Sequence, residues 1–271
     1  YGEELLDDAG ELAECRQRHL QWSAAVGTVL LDDTGPGGAP WRAAFDRIAD
    51  ELRGALSWAA AVPEQRAGAY RQADLLAGLC LRRGMPGESQ RRYEQAAELA
   101  ADPGVAAVAL RRGAGTATAR LAGDEALRLL RAAADAARSA GEPAAAAKDL
   151  AMVAELINRA PGIIASPPDA PGAARALRDA RALAGGDPAA LARIAVAEAF
   201  EVEEIDPRCA EATDRALRLS VDAGDPIAES AALDRLTTVQ LSRGQLRAAL
   251  ATAERRIELI HPLLGAVDQG F

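Results

Sequence analysis

Apolar and small residues recur every three or four positions along most of the chain, in stretches separated by short turns. Residues 102–143 show the pattern most clearly. An apolar stretch runs from Asp102-Pro103-Gly104 to Leu121, the chain breaks at Ala122-Gly123-Asp124, and a second amphipathic stretch ends before Gly141-Glu142-Pro143. Spacing of this kind is typical of amphipathic helices. The pattern therefore predicts a helix, a tight turn and a second helix, after which the unit starts again.

Prolines mark the start of five predicted repeats. Pro63, Pro103, Pro143, Pro188 and Pro226 follow one another at intervals of 40, 40, 45 and 38 residues. Proline suits the first helical position, and the acidic residue before the last four favours the positive helix start. A small residue stands four positions after each proline and an apolar one seven positions after it, namely Ala67 and Tyr70, Ala107 and Leu110, Ala147 and Leu150, Ala192 and Ala195, and Ser230 and Leu233. Residues three apart share a helix face, so this pattern indicates closely stacked helices.

The second helix of each predicted pair has its own small–large–small spacing, as in Ser89, Tyr93 and Ala96. In a helical hairpin this spacing resembles the tetratricopeptide repeat (TPR), although the period here is nearer to that of HEAT-like repeats, about 40–47 residues. No long alternating β-branched stretch is present. The sequence predicts an all-α fold, and the resemblance implies a right-handed α-α superhelix, a TPR-like solenoid of about twelve helices whose repeats must stack to bury their apolar faces.

Two further helical stretches precede the repeats. Tyr1–Leu31 is predicted to be one long helix or two helices broken near Ala9-Gly10, and Asp32–Pro40 is a loop by composition. Trp41–Ala61 is predicted to be a strongly amphipathic helix. We therefore predict two parts, a helical pair at 1–61 and a repeat array at 62–271.

The first part resembles a known family. The resemblance rests on Tyr1–Glu11 (YGEELLDDAGE), Arg18-His19-Leu20, Trp22 and Trp41–Ala59 (WRAAFDRIADELRGALSWA). These residues look like a junction in signal-transducing ATPases of the STAND class, the large actinobacterial regulators of LuxR and SARP type. Glu51 stands where that pattern usually has Asn, and Gly54 where it has Ala. The resemblance implies that an ATPase core, which binds ATP, and a winged-helix module lie upstream of Tyr1, and that the repeats sense an effector or partner and restrain the ATPase.

Composition and charge narrow the function classes. The chain has 271 residues, 49% of them hydrophobic, and a net charge of −9, which argues against direct binding of nucleic acid because phosphate contacts need clustered Lys and Arg. The sequence contains no apolar stretch of about 18 residues, so it predicts no membrane-spanning helix. No signal-peptide pattern is found at its start. Cys15, Cys80 and Cys209 are scattered and odd in number, as expected of buried thiols in a reducing cytoplasm.

Catalytic and metal motifs were sought among the glycines and histidines. Gly113–Thr118 lacks the lysine and the preceding strand of a phosphate-binding loop, so it is interpreted as small residues that ease helix contact. His19 and His261 stand in no zinc-binding context. We predict no catalytic residue, no metal site and no cofactor in this segment.

Four residues are predicted to contact an effector or partner. Arg111 and Asn158 fall on first helices, which line the concave face in TPR-type arrays. Ile163 and Ile164 lie in Pro161–Gly172, a loop longer than a hairpin turn requires and therefore a candidate for function. Being apolar in a polar loop, the two isoleucines are also expected to pack against something.

Three hypotheses follow. In the first, the chain is a non-catalytic sensor and interaction module of a STAND-class regulator that binds a peptide, a protein or a small effector. In the second, it is a free-standing TPR-like adaptor, marked by a start codon near Tyr1 and a stable monomer. In the third, it is an all-α enzyme with a pocket under the Pro161–Gly172 loop, in which Glu155 or Asn158 acts.

Overall fold

A computed structural model describes residues 2–33, 38–166 and 172–260. These residues form thirteen α-helices and contain no strand, so the predicted all-α class is confirmed and the helix number is close to the prediction. None of the described helices is long and apolar enough to span a bilayer. The right-handed superhelix stays a prediction.

The chain divides into two compact units, whose described residues are 2–33 and 38–120 in the first and 121–166 and 172–260 in the second. The first unit contains α1 (Gly2–Asp8), α2 (Leu12–Asp32), α3 (Ala39–Ala61), α4 (Arg66–Arg83), α5 (Pro86–Leu99) and α6 (Pro103–Ala119). The second contains α7 (Gly123–Ser139), α8 (Pro143–Arg159), α9 (Gly172–Ala184), α10 (Pro188–Glu201), α11 (Arg208–Asp222), α12 (Pro226–Ser242) and α13 (Leu246–Ile260). The boundary after residue 61, between the helical pair and the repeat array, stays a prediction.

In the first unit, α2, α3 and α4 pack around one another, and α5 and α6 follow as successive neighbours. The open question of one helix or two at the amino terminus is answered by α1 and α2, which Gly10 separates at a positive φ of 71°. The largest fully buried side chains of this unit come from α3 and α4: Phe45, Leu52, Leu56, Leu76 and Leu79. The largest buried side chains of the first unit therefore lie where its three longest helices, α2, α3 and α4, meet.

Four of the five proline-marked helices begin at the predicted residue: α6, α8, α10 and α12. Asp102, Asp187 and Asp225 each accept hydrogen bonds from backbone N–H groups of the first turn, which stabilises those helix starts. The Glu142 carboxylate makes no such bond. Its longer side chain makes glutamate a poorer residue than aspartate for this capping position.

The prediction was wrong at the first proline. Pro63 begins a single 3-10 turn over Pro63–Gln65, and α4 itself begins at Arg66. Because a 3-10 turn has three residues per turn, it shifts the register of the helix that follows. Ala67 is consequently exposed, and Ala69 is buried in its place.

The second unit is built from helical hairpins. Helices α8 and α9, α10 and α11, and α12 and α13 pack as pairs, α7 packs against α8, and α8, α10 and α12 contact one another in that order. Its interior is mostly alanine, with larger side chains at Leu129, Val153, Leu177, Val196 and Leu233. Alanine lets helix backbones approach closely, as the repeated small residues predict. The first helices of the pairs therefore form one continuous layer.

The turn between α6 and α7 differs from its prediction. The helix break is present, but the residue with a positive φ is Leu121, at 60°, and not Gly123. Gly123 is the first residue of α7, and a Cβ placed there would lie 2.6 Å from the carbonyl oxygen of Ile163. This glycine is therefore required by close approach of another segment rather than by the turn.

That segment is the start of the long loop after α8. Ile164 is buried against Gly123, and the Asp124 carboxylate accepts hydrogen bonds from the backbone N–H groups of Ala165 and Ser166, at 2.8 and 3.0 Å. The predicted packing of the isoleucines is confirmed for Ile164. The rest of the predicted loop, 167–171, lies outside the described residues.

Leu121→Gly is expected to stabilise the protein. A left-handed conformation costs a non-glycine residue about 1–2 kcal/mol, whereas the extra flexibility of glycine in the unfolded chain costs about 0.5–1 kcal/mol. The net gain should be a fraction of a kcal/mol to about 1 kcal/mol, measured as an increase in the free energy of unfolding in urea. Gly141→Leu is the matched control, since Gly141 occupies the same place after α7 with a φ of 76°; it should destabilise the protein. A destabilised Leu121→Gly variant would contradict the prediction.

Candidate functional site

A group of interlocked polar side chains in the second unit lies where α8, α10, α12 and α13 approach one another. We call it the arginine cluster: Arg159, Arg235 and Arg256 with Phe200 and Asp234. Arg159 is the last residue of α8, Phe200 lies at the end of α10, and the other three belong to α12 and α13. Three of these four helices are first helices of hairpins, so the repeat itself brings their side chains together.

Arg159 is held by two carboxylates. Its Nε and Nη2 donate to Oδ2 of Asp234 at 3.0 and 2.7 Å, and its Nη1 donates to Oε1 of Glu155 at 2.8 Å. The guanidinium carbon also lies 5.2 Å from the centre of the Phe200 ring. Burial by itself would lower the pKa of Arg159, but the charges of Glu155 and Asp234 outweigh burial and raise that pKa above its usual value. Arg159 is therefore a permanent cation in a partly buried place.

Asp234 is shared by two arginines. Oδ2 of Asp234 accepts from Arg159, and Oδ1 of Asp234 accepts from Nη1 of Arg256. Arg256 also donates from its Nε to the Ser230 hydroxyl at 3.1 Å. The side chains of Arg159, Asp234 and Arg256 all keep part of their surface in solvent. One carboxylate thus joins α8 to both helices of the last hairpin and stays accessible from outside.

Arg235 has a different role, because it is only 6% exposed. Its Nε donates to the carbonyl of Ala199 at 3.0 Å, and its Nη2 donates to the carbonyl of Val202. Its Nη1 donates to Oε1 of Glu204 at 3.2 Å, and the guanidinium carbon lies 5.4 Å from the centre of the Phe200 ring. Carbonyl groups at a helix end lack partners within the helix. Arg235 supplies such partners at the end of α10.

The side chains of this cluster are of the kinds that bind charged groups. Guanidinium groups present planar pairs of donors that match carboxylate and phosphate oxygens, and Phe200 adds an aromatic face that attracts cations. The cluster contains neither His nor Cys, the side chains that most often act as general base or nucleophile near neutral pH. Among the described residues, no group of three or more His, Cys, Asp or Glu side chains is arranged to hold a metal ion.

The four predicted contact residues lie in different places. Asn158 directly precedes Arg159, and its Nδ2 is buried without a hydrogen-bond partner among the described residues. Arg111 belongs to α6 of the first unit and takes part in an interaction of its own. Ile163 and Ile164 lie against the start of α7. Only Asn158 thus adjoins the cluster, and the role of all four as contacts stays a prediction.

A second polar network lies in the first unit. Arg53 donates from Nε and Nη2 to the two carboxylate oxygens of Glu88, at 2.9 and 2.8 Å, which ties α3 to α5. These bonds from Arg53 lower the pKa of Glu88. Burial raises the pKa of the neighbouring Cys80 thiol to about 12, so Cys80 stays protonated and is a poor nucleophile. This network holds helices together and offers no reactive group.

Sequence reasoning missed the arginine cluster. None of its five residues was a predicted contact, because nothing local distinguishes its arginines from the many on solvated faces. One signal was available: Phe200 is the only aromatic residue between 121 and 260, in a stretch otherwise rich in alanine. A lone aromatic side chain in such a stretch indicates a special contact. No protein-family model matches the chain, and no curated protein matches it either.

Proposed function

We propose that this chain is a non-catalytic sensor and protein-interaction module of a STAND-class transcriptional regulator, which binds an effector or partner and restrains the ATPase core of the same protein. The proposal includes a cytoplasmic location, ATP binding only in an upstream part, and no direct contact with nucleic acid. Its supports are the resemblance of residues 1–59 to the STAND junction, the hairpin repeats and the arginine cluster.

The observation that carries the proposal is the shared carboxylate of Asp234. An anionic group on an effector or partner, a carboxylate or a phosphate, offers Arg159 and Arg256 the same acceptors as Asp234 does. Binding of that group exchanges contacts within the cluster for contacts to the ligand. Because Asp234 joins α8 to α12 and α13, the exchange changes how these helices are held, and a ligand-dependent change in helix packing is what a sensor requires.

The proposal is tested first on the parent gene and then on its product. The gene should encode a nucleotide-binding domain upstream of Tyr1. The whole regulator should then hydrolyse ATP more slowly than a form lacking residues 62–271, by about five-fold or more if the coupling is of ordinary size. Equal or lower hydrolysis by the shortened form would contradict the restraint.

Variants within the whole regulator test the cluster itself. Arg159→Gln should move the ATPase rate towards that of the shortened form, because it removes the arginine that links α8 to Asp234. Arg243→Gln, an exposed change just after α12, is the matched control and should leave the rate unchanged.

The alternative is a free-standing TPR-like adaptor that binds a partner protein. The hairpin repeats and the arginine cluster fit it equally well, and the STAND resemblance favours the regulator. A start codon within a few residues of Tyr1, with no nucleotide-binding domain upstream, would select the adaptor.

A further inference from the structure

Helix α13 has an exposed apolar face. Leu246, Leu250 and Ile257 are 67%, 61% and 61% exposed, and Ala253 lies between the last two. Their spacing of four, three and four residues is that of a coiled-coil seam, in which apolar residues alternate at intervals of three and four. We call these four residues the α13 seam. Leucine and isoleucine this exposed in one continuous stripe lose the free energy that burial would provide.

The opposite face of α13 is already used. Ala249 and Thr252 are buried, the Thr252 hydroxyl donates to Oε1 of Gln240 at 2.9 Å, and Arg256 reaches Asp234 and Ser230 of α12. The position of α13 against α12 is thus set by contacts that leave the seam facing outward. Within the described residues, no helix packs on it.

An earlier helix of the same unit, α7, shows how such side chains look when other helices cover them. In α7, Leu127, Leu129 and Leu130 are all buried, because other helices of the unit pack over them. In α13, side chains of the same kind stand in solvent. The α13 seam therefore has the composition of a buried helix face, but its leucine and isoleucine side chains are exposed to solvent.

Beyond the proposed sensor role, we propose that the α13 seam is the interface between two copies of this chain, paired antiparallel about a two-fold axis near the middle of the helix. Such an interface uses the same surface on both copies. Leu246 of one copy then lies opposite Ile257 of the other, and Leu250 lies opposite Ala253. Each large side chain of the seam is covered by an apolar neighbour.

Charge complementarity selects the second copy as the occupant. Arg247 and Glu254 are exposed, stand seven residues apart and flank the same side of the seam. Antiparallel pairing places Arg247 of each copy beside Glu254 of the other, which gives two ion pairs. In a parallel pair, the flank that carries Arg247 and Glu254 lies beside the opposite flank of the partner helix. Arg247 of one copy then does not meet Glu254 of the other. The charges on the two copies are therefore complementary only in the antiparallel orientation.

Sedimentation of the full chain across a range of concentrations tests the proposal. We expect a dimer of about twice the 28.2 kDa chain mass. Leu250→Glu and Ile257→Glu should each give a monomer of unchanged helix content, because Leu250→Glu places two charges near the two-fold axis and Ile257→Glu places one charge against Leu246 at each end of the interface. Ile205→Glu is the matched control, since Ile205 is highly exposed in the same unit but is not part of the seam, and it should leave the dimer intact.

Charge reversal tests the orientation. Arg247→Glu alone and Glu254→Arg alone should each weaken dimerisation, on the order of two- to ten-fold in dissociation constant for two exposed ion pairs. The double variant should recover the wild-type constant, because it restores both pairs with their signs exchanged. A double variant that dimerises no better than the single ones overturns the antiparallel arrangement.

Two other outcomes overturn the interface itself. One is a chain that stays monomeric at every concentration, or a dimer that Leu250→Glu leaves intact. The other is a monomer that begins to dimerise when residues 261–271 are removed, which would assign the seam to the chain's own final segment.

Discussion

Phe45→Ala will lower the free energy of unfolding of the first unit by about 3–5 kcal/mol, the usual cost of removing a buried phenylalanine side chain. Phe45 is fully buried in the first half of α3, and its ring stacks on Trp41 with the centroids 5.8 Å apart. Truncation removes apolar surface from the core and leaves a cavity, because the three long helices around it are also held by other contacts. Urea unfolding followed by circular dichroism measures the loss.

Two variants make the result for Phe45 specific. Phe45→Leu keeps most of the side-chain volume and should cost clearly less than the alanine change. Val29→Ala removes apolar atoms from a highly exposed residue of the same unit and should have almost no effect. A loss below about 1 kcal/mol for Phe45→Ala would contradict the packing of α2, α3 and α4 described above, since it is outside the range for a closed core.

Arg235→Met will destabilise the second unit by about 2–4 kcal/mol, because each buried acceptor left without a donor costs about 1–3 kcal/mol. Methionine preserves much of the aliphatic length of arginine but donates no hydrogen bond. The carbonyls of Ala199 and Val202 would lose their partner, and the end of α10 would loosen. Thermal unfolding measures the loss, and hydrogen exchange near residue 200 shows where it arises.

The control for Arg235 lies nearby. Arg243→Met removes a guanidinium from an exposed position just past the end of α12 and should leave stability within about 0.5 kcal/mol of the wild type. If Arg235→Met were equally neutral, Arg235 would not supply the donors that the end of α10 requires.

The helix starts could be predicted because their causes are local. Proline restricts its own φ and the capping aspartate bonds to the next turn, so Pro103, Pro188 and Pro226 mark helices without knowledge of the rest of the fold. The same reasoning was wrong at Pro63, where a 3-10 turn intervenes. Whether a proline opens a 3-10 turn or an α-helix depends on the helices that pack on it, which the local sequence does not contain.

The arginine cluster could not be predicted for the opposite reason. Arg159 and Asp234 are 75 residues apart in sequence, and they meet only because α8, α10 and α12 pack side by side. A change of one position in the register of any of these helices would pair Asp234 with a different residue. Asn158 was predicted as a contact only from its place on the first helix of a repeat, whereas the partners on α12 and α13 depend on that packing.

The division of the chain into two units has an optical consequence. Tryptophan is found only at Trp22, Trp41 and Trp58 and tyrosine only at Tyr1, Tyr70 and Tyr93, so the part of the sequence from residue 121 onward contains neither. Intrinsic fluorescence therefore reports the first unit alone, while circular dichroism reports the helices of both. An unfolding curve seen by dichroism but not by fluorescence belongs to the second unit, and Phe200→Trp would place a single emitter inside the arginine cluster.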